Sequence, residues 1–231
     1  MSDLCVFIPT RHRREKMDEC LESFRETTLG EVDLFLVVDE DDGSYEGIDA
    51  EIISAKPGTL VTAVNEAAMP LADRYPALMM VSDDVIFRTP GWDLFMTGML
   101  EQHLDGTGFV YPDDRRRYDI PEQVLITSDI VKALGWFAEP GFGHFYIDNV
   151  WAELGKRLGL IRYCPQAVIE HMHYTVSPDV ERDETYRLAE EKHASPDEQE
   201  YHVWRATRMQ NQAAMLRRQF NPDIKWVLDK I

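Results

Sequence analysis

The stretch that decides the fold is residues 77–87, which read ALMMVSDDVIF. Five apolar residues lead directly into Ser82-Asp83-Asp84, and a second apolar triplet follows. A continuous apolar run of this length, with turn residues nearby, predicts a strand that is buried on both faces. Parallel sheets of α/β folds contain such strands and bind ligands at their carboxyl ends. Two carboxylates at that end are therefore either a solvated turn or the oxygen ligands of a hard divalent cation.

The composition limits the classes of function. The chain has 231 residues, which suits one large domain or one domain with an appendage. Its formal net charge of −18 argues against a protein that grips nucleic acid mainly through phosphates, and against binding to an anionic membrane surface. The same charge is compatible with a small anionic ligand whose charge is neutralised locally by a metal ion.

The three cysteines, Cys5, Cys20 and Cys164, are far apart, odd in number and without the spacing of a zinc site. We interpret them as small buried apolar side chains in a reducing compartment. No signal peptide opens the sequence, and no apolar run approaches the roughly 18 residues of a membrane span. We therefore expect a soluble, cytoplasmic protein.

Two other predicted strands also end in polar side chains. Residues 4–8 predict a first buried strand closed by Pro9-Thr10-Arg11, and apolar residues at helical spacing predict a helix over residues 13–28. Residues 32–38 predict a second strand, which ends in the run DEDDGS at residues 39–44. Asp-Gly is a common turn, but four consecutive acids repel one another unless they are solvated or bound to a ligand. The placement of this run at a strand's carboxyl end parallels that of Ser82-Asp83-Asp84.

The remaining pattern alternates strands and helices. We predict strands over residues 51–55, 106–111, 123–127 and 161–168, and helices over residues 59–72, 91–103, 128–134 and 150–158. Thr59 is the expected cap of its helix, and Ser128 or Asp129 that of the short helix. The glycine- and aromatic-rich segment 135–145 has the composition of a mobile lid or sugar-stacking surface, and equally that of a plain surface turn.

The last predicted strand ends in Glu170-His171-Met172-His173. Residues i and i+2 of a strand share a face, so both imidazoles can point into one site. A single histidine is usually structural, whereas two histidines with period 2 beside a glutamate indicate a ligand site.

From residue 177 onward the composition becomes polar and charged. Residues 179–193 predict one exposed helix. Ser195-Pro196 has the residue types of a second helix start, with serine as the cap and proline in the first position. We predict that residues 1–176 form the main domain and residues 177–231 a helical appendage. This appendage is expected to pack back on the domain or on a partner chain. In the second case the protein would be a homo-oligomer through its C-terminal helices.

The order of these elements resembles that of glycosyltransferases with the GT-A fold, closest to family 2. Ile8-Pro9-Thr10-Arg11 is similar to the first motif of that family, and VVDEDDGS at residues 37–44 is similar to its Val-Val-Asp-Asp-Gly-Ser element. Ser82-Asp83-Asp84 matches the position of the family's Asp-x-Asp motif. The resemblance covers roughly residues 3–175 and implies an α/β fold, with a mostly parallel, Rossmann-like sheet flanked by helices.

The resemblance also implies a nucleotide-diphosphate-sugar donor, UDP- or GDP-linked, and an acceptor hydroxyl. Asp84 would bind a metal, Mn²⁺ or Mg²⁺, with His171 or His173 as a further ligand, and Asp148 would be the catalytic base of an inverting enzyme. The residues implied in donor binding are Pro9, Thr10, Arg11, Asp39, Asp41, Ser82 and Asp83. Independently, a divalent cation on a diphosphate stabilises the charge that grows as the sugar–phosphate bond breaks.

The sequence departs from the family at some positions. Ser82 stands where the family's Asp-x-Asp motif has its first aspartate. The acidic run at residues 39–44 is longer than that of the family, so either Asp39 or Asp41 would contact the base or ribose of the donor. The Gln-x-x-Arg-Trp motif is absent. Together with the lack of a membrane-spanning stretch, this argues against a processive polysaccharide synthase.

Four other functions compete with this interpretation. A sugar nucleotidyltransferase would require a glycine-rich loop after the first strand, where this chain has PTRHRR at residues 9–14. A metal-dependent phosphohydrolase would use the same Asp and His clusters, and a non-catalytic nucleotide-sugar-binding protein would keep only the fold. Glycosylation of DNA bases, through a patch that includes Arg115-Arg116-Arg117, is disfavoured by the overall acidity.

Overall fold

A computed structural model describes residues 2–176 and 180–220 of the chain. The predicted helix start at residue 179 and the end of the tail, residues 221–231, lie outside these ranges. The predicted domain boundary between residues 176 and 177 adjoins this gap and stays a prediction.

The described residues form eight strands, seven α-helices and a short 3₁₀ helix at Gly43–Tyr45. The strands are β1 (Leu4–Thr10), β2 (Val32–Asp39), β3 (Glu51–Ala55), β4 (Ala77–Met80), β5 (Val85–Phe87), β6 (Phe109–Asp113), β7 (Val124–Thr127) and β8 (Ile161–His171). The helices are α1 (Arg14–Thr27), α2 (Leu60–Ala72), α3 (Trp92–Leu104), α4 (Ser128–Leu134), α5 (Ile147–Leu158), α6 (Glu184–Thr207) and α7 (Met209–Phe220).

The strands form one sheet in the order β3-β2-β1-β4-β7-β6-β8-β5. Four strand pairings are parallel, including β1 with β2 and with β4, and three are antiparallel, including β5 with β8. The predicted α/β class with flanking helices is therefore confirmed, and the sheet is mixed. Because β1, β2 and β4 run in the same direction, their carboxyl ends meet at one edge of the sheet.

The stretch at residues 77–87 supplies two strands instead of one. Strand β4 ends at Met80, the chain turns at Ser82-Asp83-Asp84, and β5 then pairs antiparallel with β8 at the far end of the sheet. In this pairing Val85 lies opposite His171. The acidic turn is therefore joined through the backbone ladder to the strand that ends at His171.

Helices cover both faces of the sheet. Alternation along β1 sends Cys5 and Phe7 into one core, with α2, α5 and α7, and sends Val6 and Ile8 into the other, with α1 and α3. The side chains of both cores are almost fully excluded from water. This packing fixes the strand ends that carry the acidic turns.

The start of one helix agrees with its predicted cap and that of another does not. The hydroxyl of Thr59 accepts a hydrogen bond from the backbone N–H of Thr62 at 3.2 Å, as a cap does. For α4 the capping position is Thr127, so the prediction of Ser128 or Asp129 was wrong. The Ser128 hydroxyl instead donates to the carbonyl of Tyr75, which ties the helix start to β4.

The tail does not begin a new helix at Ser195, so that prediction was wrong. Helix α6 starts after Asp183, whose side chain accepts from the N–H of Tyr186, and it continues through Pro196. A proline inside a helix costs about 3 kcal/mol, and tertiary contacts offset this cost. Asp197, which is almost fully buried, accepts backbone hydrogen bonds from residues 143–145.

The tail packs on the rest of the chain. Trp204 of α6 and Leu216 of α7 are fully buried in the same core as Phe7 and Trp151. None of the helices within residues 2–176 and 180–220 combines the length and apolar character needed to cross a bilayer.

Three aromatic side chains of the glycine- and aromatic-rich segment 135–145 are part of the core. Trp136, Phe137 and Phe142 are each at most 6% exposed, so they do not form an exposed sugar-stacking surface, whereas Gly135, Pro140 and Gly141 are exposed. The Asn65 side chain accepts from the N–H groups of Phe137 and Ala138, and Trp151 donates to the Phe137 carbonyl. The aromatic side chains fill the space between α2, α5 and the tail.

Candidate functional site

Asp83 and Asp84 are buried and accept hydrogen bonds from other side chains, unlike the side chains of a solvated turn. The Asp83 carboxylate accepts from the Thr10 hydroxyl at 2.7 Å and from Arg13 at 2.8 Å. Oxygen Oδ2 of Asp84 accepts from Arg13 at 3.3 Å and from the Tyr186 hydroxyl. Strand β1, the start of α1 and the start of α6 therefore converge on the turn after β4.

The two carboxyl groups differ in their electrostatic surroundings. Burial raises the pKa of Asp83, and the neighbouring charge of Asp84 adds to this effect although Arg13 opposes it. Burial would raise the pKa of Asp84 as well, but His171 and Arg13 outweigh it and hold that pKa well below its usual range. Asp84 is therefore ionised at neutral pH.

His171 lies between two carboxylates. Its Nε2 is 3.1 Å from Oδ1 of Asp84, and its Nδ1 is 2.8 Å from Glu122. Arg116 holds Glu122 with two hydrogen bonds of 2.8 and 3.0 Å. Burial alone would lower the pKa of His171, but the two carboxylates raise it to about 9. Asp84, His171 and Glu122 form a connected array.

The spacing of Asp84 and His171 is compatible with two ligands of one metal ion. Among the described residues, buried Oδ1 of Asp84 has its ion-pair contact with His171 Nε2 at 3.1 Å and makes no further hydrogen bond. Two adjacent ligands of a six-coordinate Mg²⁺ or Mn²⁺ at about 2.1 Å stand about 3.0 Å apart, close to the 3.1 Å observed here. An oxygen and an imidazole nitrogen suit Mn²⁺. A carboxylate behind the histidine is the usual outer partner of a metal-bound imidazole.

The array alone does not complete a coordination sphere. Within the described ranges, no group of three His, Cys, Asp or Glu side chains is placed to hold a metal ion. A site with two protein ligands relies on substrate phosphates and water for the others. The His173 ring centre is 5.2 Å from that of His171, and its Nδ1 is engaged by the Thr175 hydroxyl at 2.8 Å.

The predicted donor-binding residues at the end of β2 lie together. Arg11 pairs with Asp39 and, at 3.4 Å, with Asp41. Pro9 lies opposite Val37 in the β1–β2 ladder. A cavity of about 340 Å³ opens beside this ladder and is lined by residues of the acidic turn and of β3, among them Asp39, Glu40, Tyr45, Ile48 and Ser54. The cavity is large enough for a nucleoside, and acidic side chains are part of its lining.

A larger surface depression, of about 480 Å³, lies at the other end of the sheet. Its lining includes Tyr75 and Pro76, which precede β4, whereas Asp83 and Asp84 follow the same strand. It therefore belongs to the edge opposite the acidic turns.

Ser82 is engaged by a residue that the sequence did not single out. Its backbone N–H donates to Oε1 of Gln123 at 2.7 Å, and its hydroxyl accepts from Nε2 of Gln123 at 3.3 Å. Gln123 is 1% exposed. It thus fixes the turn at the position where the family resemblance implies an aspartate.

Asp148 lies in the first turn of α5 and is not its cap, a position that Tyr146 occupies in left-handed conformation. Its carboxylate accepts from the N–H of Asn149 at 2.8 Å. Burial raises the pKa of Asp148 to about 6, with a further increase from the charge of Glu122, although Asn149 and Arg117 lower it. The charge of Glu122 therefore influences the pKa of Asp148.

Four residues of this neighbourhood carry no signal that sequence reasoning recognised: Glu122, Gln123, Asp183 and Tyr186. Tyr186 reaches Asp84 across 102 positions of sequence. Arg13 was visible as part of the basic run after β1, but no sequence pattern indicated that its guanidinium turns toward Asp83.

No protein-family model matches the sequence, and no curated protein does. Solved structures of similar shape do exist. TarS of S. aureus (residues 1–349), in complex with UDP-GlcNAc, is 11% identical and covers 73% of this chain and 57% of its own, with a TM-score of 0.58. The mannosyltransferase PcManGT of Pyrobaculum calidifontis, with GDP-Man and Mn²⁺, is 12% identical and covers 73% and 56%, with a TM-score of 0.55.

A third similar structure is glucosyl-3-phosphoglycerate synthase of Mycobacterium tuberculosis, in complex with Mn²⁺, UDP and phosphoglyceric acid. It is 13% identical and covers 74% of this chain and 70% of its own, with a TM-score of 0.55. The chain spans less than two thirds of the TarS and PcManGT chains. At these identities the likeness shows that the chain has the GT-A fold of these glycosyltransferases.

Proposed function

We propose that the protein is a metal-dependent glycosyltransferase that moves a sugar from a nucleotide-diphosphate donor to an acceptor hydroxyl. The observation that carries the proposal is the contact of Asp84 with His171 at 3.1 Å, supported from behind by Glu122. The nucleoside-sized cavity at the end of β2 lies at the same edge of the sheet. Similar structures were solved with UDP-GlcNAc, with GDP-Man and Mn²⁺, and with UDP and Mn²⁺.

In this proposal each part of the site has one task. Residues of the acidic turn, Asp39 or Asp41 with Arg11, hold the nucleoside beside β2. Asp84 Oδ1 and His171 Nε2 would hold Mn²⁺ or Mg²⁺. When bound, such a cation would supply Lewis-acid stabilisation of the charge that develops on the diphosphate leaving group. Glu122 keeps Nε2 of His171 directed at the site by binding the other ring nitrogen.

Asp148 is the proposed general base. Its pKa of about 6 leaves it mainly ionised at neutral pH while making it more basic than an ordinary aspartate. The acceptor oxygen forms a bond to the anomeric carbon, the bond from that carbon to the diphosphate oxygen breaks, and the hydroxyl proton passes to the Asp148 carboxylate. One displacement of this kind inverts the configuration at the anomeric carbon.

Three parts of the sequence prediction remain part of the proposal. We propose a cytoplasmic protein, which fits the three cysteines, all of them buried free thiols. Family 2 membership is proposed on the motifs of the sequence. A homo-oligomer through the C-terminal helices also stays a prediction. Within the described chain, α6 and α7 bury apolar residues against their own chain.

A panel of nucleotide sugars tests this function. The purified protein is incubated with UDP-glucose, UDP-GlcNAc or GDP-mannose, with and without Mn²⁺, and its melting temperature and the release of nucleoside diphosphate are measured. We expect one donor to raise the melting temperature only with Mn²⁺ and to be hydrolysed slowly without acceptor. Stabilisation without hydrolysis or transfer would favour a non-catalytic binding protein. Pyrophosphate release from a nucleoside triphosphate, or phosphate release alone, would favour a nucleotidyltransferase or a phosphohydrolase.

A further inference from the structure

The carboxylate of Asp183 lies between two cationic side chains at the start of α1. Its two oxygens are 2.9 Å from an Arg13 nitrogen and 2.7 Å from Lys16 Nζ. Asp183 precedes α6, and α1 begins at Arg14. A helix N-terminus and two cations together favour an anion. The capping residue of α6 therefore supplies an anion to a site at the start of α1.

Arg13 connects this anion site to the acidic turn. Its side chain is only 9% exposed, and it contacts Asp83, Asp84 and Asp183 at the same time. Its Nε atom is buried and has no hydrogen-bond partner within the described residues. A buried guanidinium with a free donor can take a ligand with more oxygens than one carboxylate offers.

Tyr186 contacts both the acidic turn and the two cations. Its hydroxyl donates to Asp84 Oδ2, and its ring lies 4.3 Å from the Arg13 guanidinium carbon and 5.0 Å from Lys16 Nζ. Both distances are within the range of cation–π attraction. Asp183 and Tyr186 thus cover the acidic turn where the metal-binding oxygen of Asp84 is placed.

We propose that Arg13 and Lys16 form a diphosphate-binding subsite and that Asp183 occupies it until the donor arrives. This inference rests on the proposed function and extends it, because it names the residues that take the phosphates beside the metal. A diphosphate carries more negative charge than one carboxylate and presents more acceptor oxygens, so it replaces Asp183 between the two cations. The start of α6 moves away from α1 as this exchange occurs.

The exchange makes Asp183 an internal competitor of the ligand. Only the fraction of molecules in which Asp183 has left the subsite can bind a diphosphate, and the apparent affinity falls by that fraction. Removing the charge of Asp183 therefore strengthens diphosphate binding, whereas removing the charge of Lys16 weakens it.

Calorimetry with inorganic pyrophosphate tests the subsite. EDTA is present, so that the result does not depend on a metal ion, and UDP and GDP form separate arms. The variant Asp183→Asn removes the charge and keeps the helix cap, because asparagine caps as well as aspartate does. Asp18→Asn is the matched control, since Asp18 is an exposed acid of α1 that pairs with Arg14. We expect Asp183→Asn to bind pyrophosphate roughly tenfold more tightly, which corresponds to ~1.4 kcal/mol, and Asp18→Asn to bind like the unmodified protein.

Two further variants keep the test decisive. Lys16→Gln should weaken pyrophosphate binding by about tenfold or more, which corresponds to loss of one charge-assisted hydrogen bond. Tyr186→Phe, which keeps the ring and loses the bond to Asp84, should strengthen binding if Asp183→Asn does not fold. The proposal is overturned if Asp183→Asn binds no more tightly than Asp18→Asn, if Lys16→Gln binds like the unmodified protein, or if no folded variant binds pyrophosphate.

The outcome is separable from that of the proposed function. Pyrophosphate binding that responds to Asp183 and Lys16, with no response to any nucleotide sugar, would support the subsite and contradict the glycosyltransferase. Binding and hydrolysis of a nucleotide sugar with no effect of either substitution would support the enzyme and contradict the subsite.

Discussion

His171 Nδ1 lies 2.8 Å from a carboxylate oxygen of Glu122, a residue 49 positions earlier in the chain. With Nδ1 engaged in this way, the opposite ring nitrogen is directed at Asp84. Loss of a carboxylate behind a metal-bound histidine typically lowers metal affinity about 10–100-fold. The relationship therefore assigns Glu122 to the candidate metal site, although it was not among the residues predicted from the sequence.

For Glu122→Gln we expect Mn²⁺ affinity in the presence of UDP to fall about 10–100-fold, because the neutral amide holds the ring less firmly and polarises it less. Titration with Mn²⁺, followed by electron paramagnetic resonance, measures this affinity. Glu170→Gln is the control, because Glu170 directly precedes His171 in sequence but pairs with Arg88 at 2.7 Å. Equal affinities for the two variants would contradict the role of Glu122.

For Asp148→Asn we expect the transfer rate to fall by about 10²–10⁴, the usual contribution of a general base. Asparagine keeps the size of the side chain, so donor binding measured by calorimetry should stay unchanged. Turnover close to that of the unmodified protein would show that Asp148 is structural.

The rate of transfer should depend on pH through the same residue. The base must be ionised to accept a proton, so kcat/KM should rise with pH through about 6, where burial places the pKa of Asp148. A pH profile between 5 and 8 measures this limb. A profile with its acid limb near the ordinary aspartate pKa, below 5, would contradict the assignment.

The free energy of unfolding should fall as the pH rises, whereas the rate of transfer rises. The pKa of Asp148 is about 6 in the folded protein against 3.8 for an ordinary aspartate, so folding favours the protonated form. The stability that this preference contributes is complete below pH ~4 and is lost as the pH rises through ~6. Asp148→Asn stays neutral at every pH and should therefore be more stable than the unmodified protein at pH 8, by on the order of 1–3 kcal/mol.

Urea denaturation at pH 8 and pH 4 measures that difference. The gain in unfolding free energy should be large at pH 8 and close to zero at pH 4. A variant that is destabilised at both values would mean that the charged carboxylate makes a favourable contact in the folded protein.

The tail should unfold together with the rest of the chain. Trp204 is fully buried in the main core, and truncation of such a side chain to alanine costs about 3–5 kcal/mol. Trp204→Ala should therefore lower the free energy of unfolding by that amount while a single transition is kept. Val203→Ala, at a position that is 47% exposed, is the control. A second transition, or an unchanged midpoint, would mean that the tail is a separate unit.

The strand ends could be predicted because a buried parallel strand has a clear composition. The apolar runs before Pro9, Asp39 and Ser82 placed these residues at one edge of the sheet, and the period of two along β8 indicated His171. The split of residues 77–87 into β4 and β5 could not be predicted, because the short triplet Val85–Phe87 is a strand only through its pairing with β8.

The rest of the site depends on contacts that no local pattern contains. Glu122 follows Pro121 in an irregular segment, and only the tertiary fold brings it to His171. Pro196 is a good helix start in isolation, yet α6 continues through it because Asp197 is held by the backbone of residues 143–145. Tyr186 lies in a helix whose polar composition predicts an exposed surface. Its hydroxyl nevertheless donates a hydrogen bond to the buried carboxylate of Asp84.

The most direct test of the central claim is the binding of UDP and of GDP to Asp84→Asn and to the unmodified protein, by calorimetry with and without Mn²⁺. The amide preserves the shape of the side chain but is a poor metal ligand, so only metal-dependent binding should be affected. We expect Mn²⁺ to strengthen binding of one of the two nucleotides to the unmodified protein, and to have no effect on the variant. Equal strengthening by Mn²⁺ in both proteins, or none in either, would contradict a cation held by Asp84 and His171.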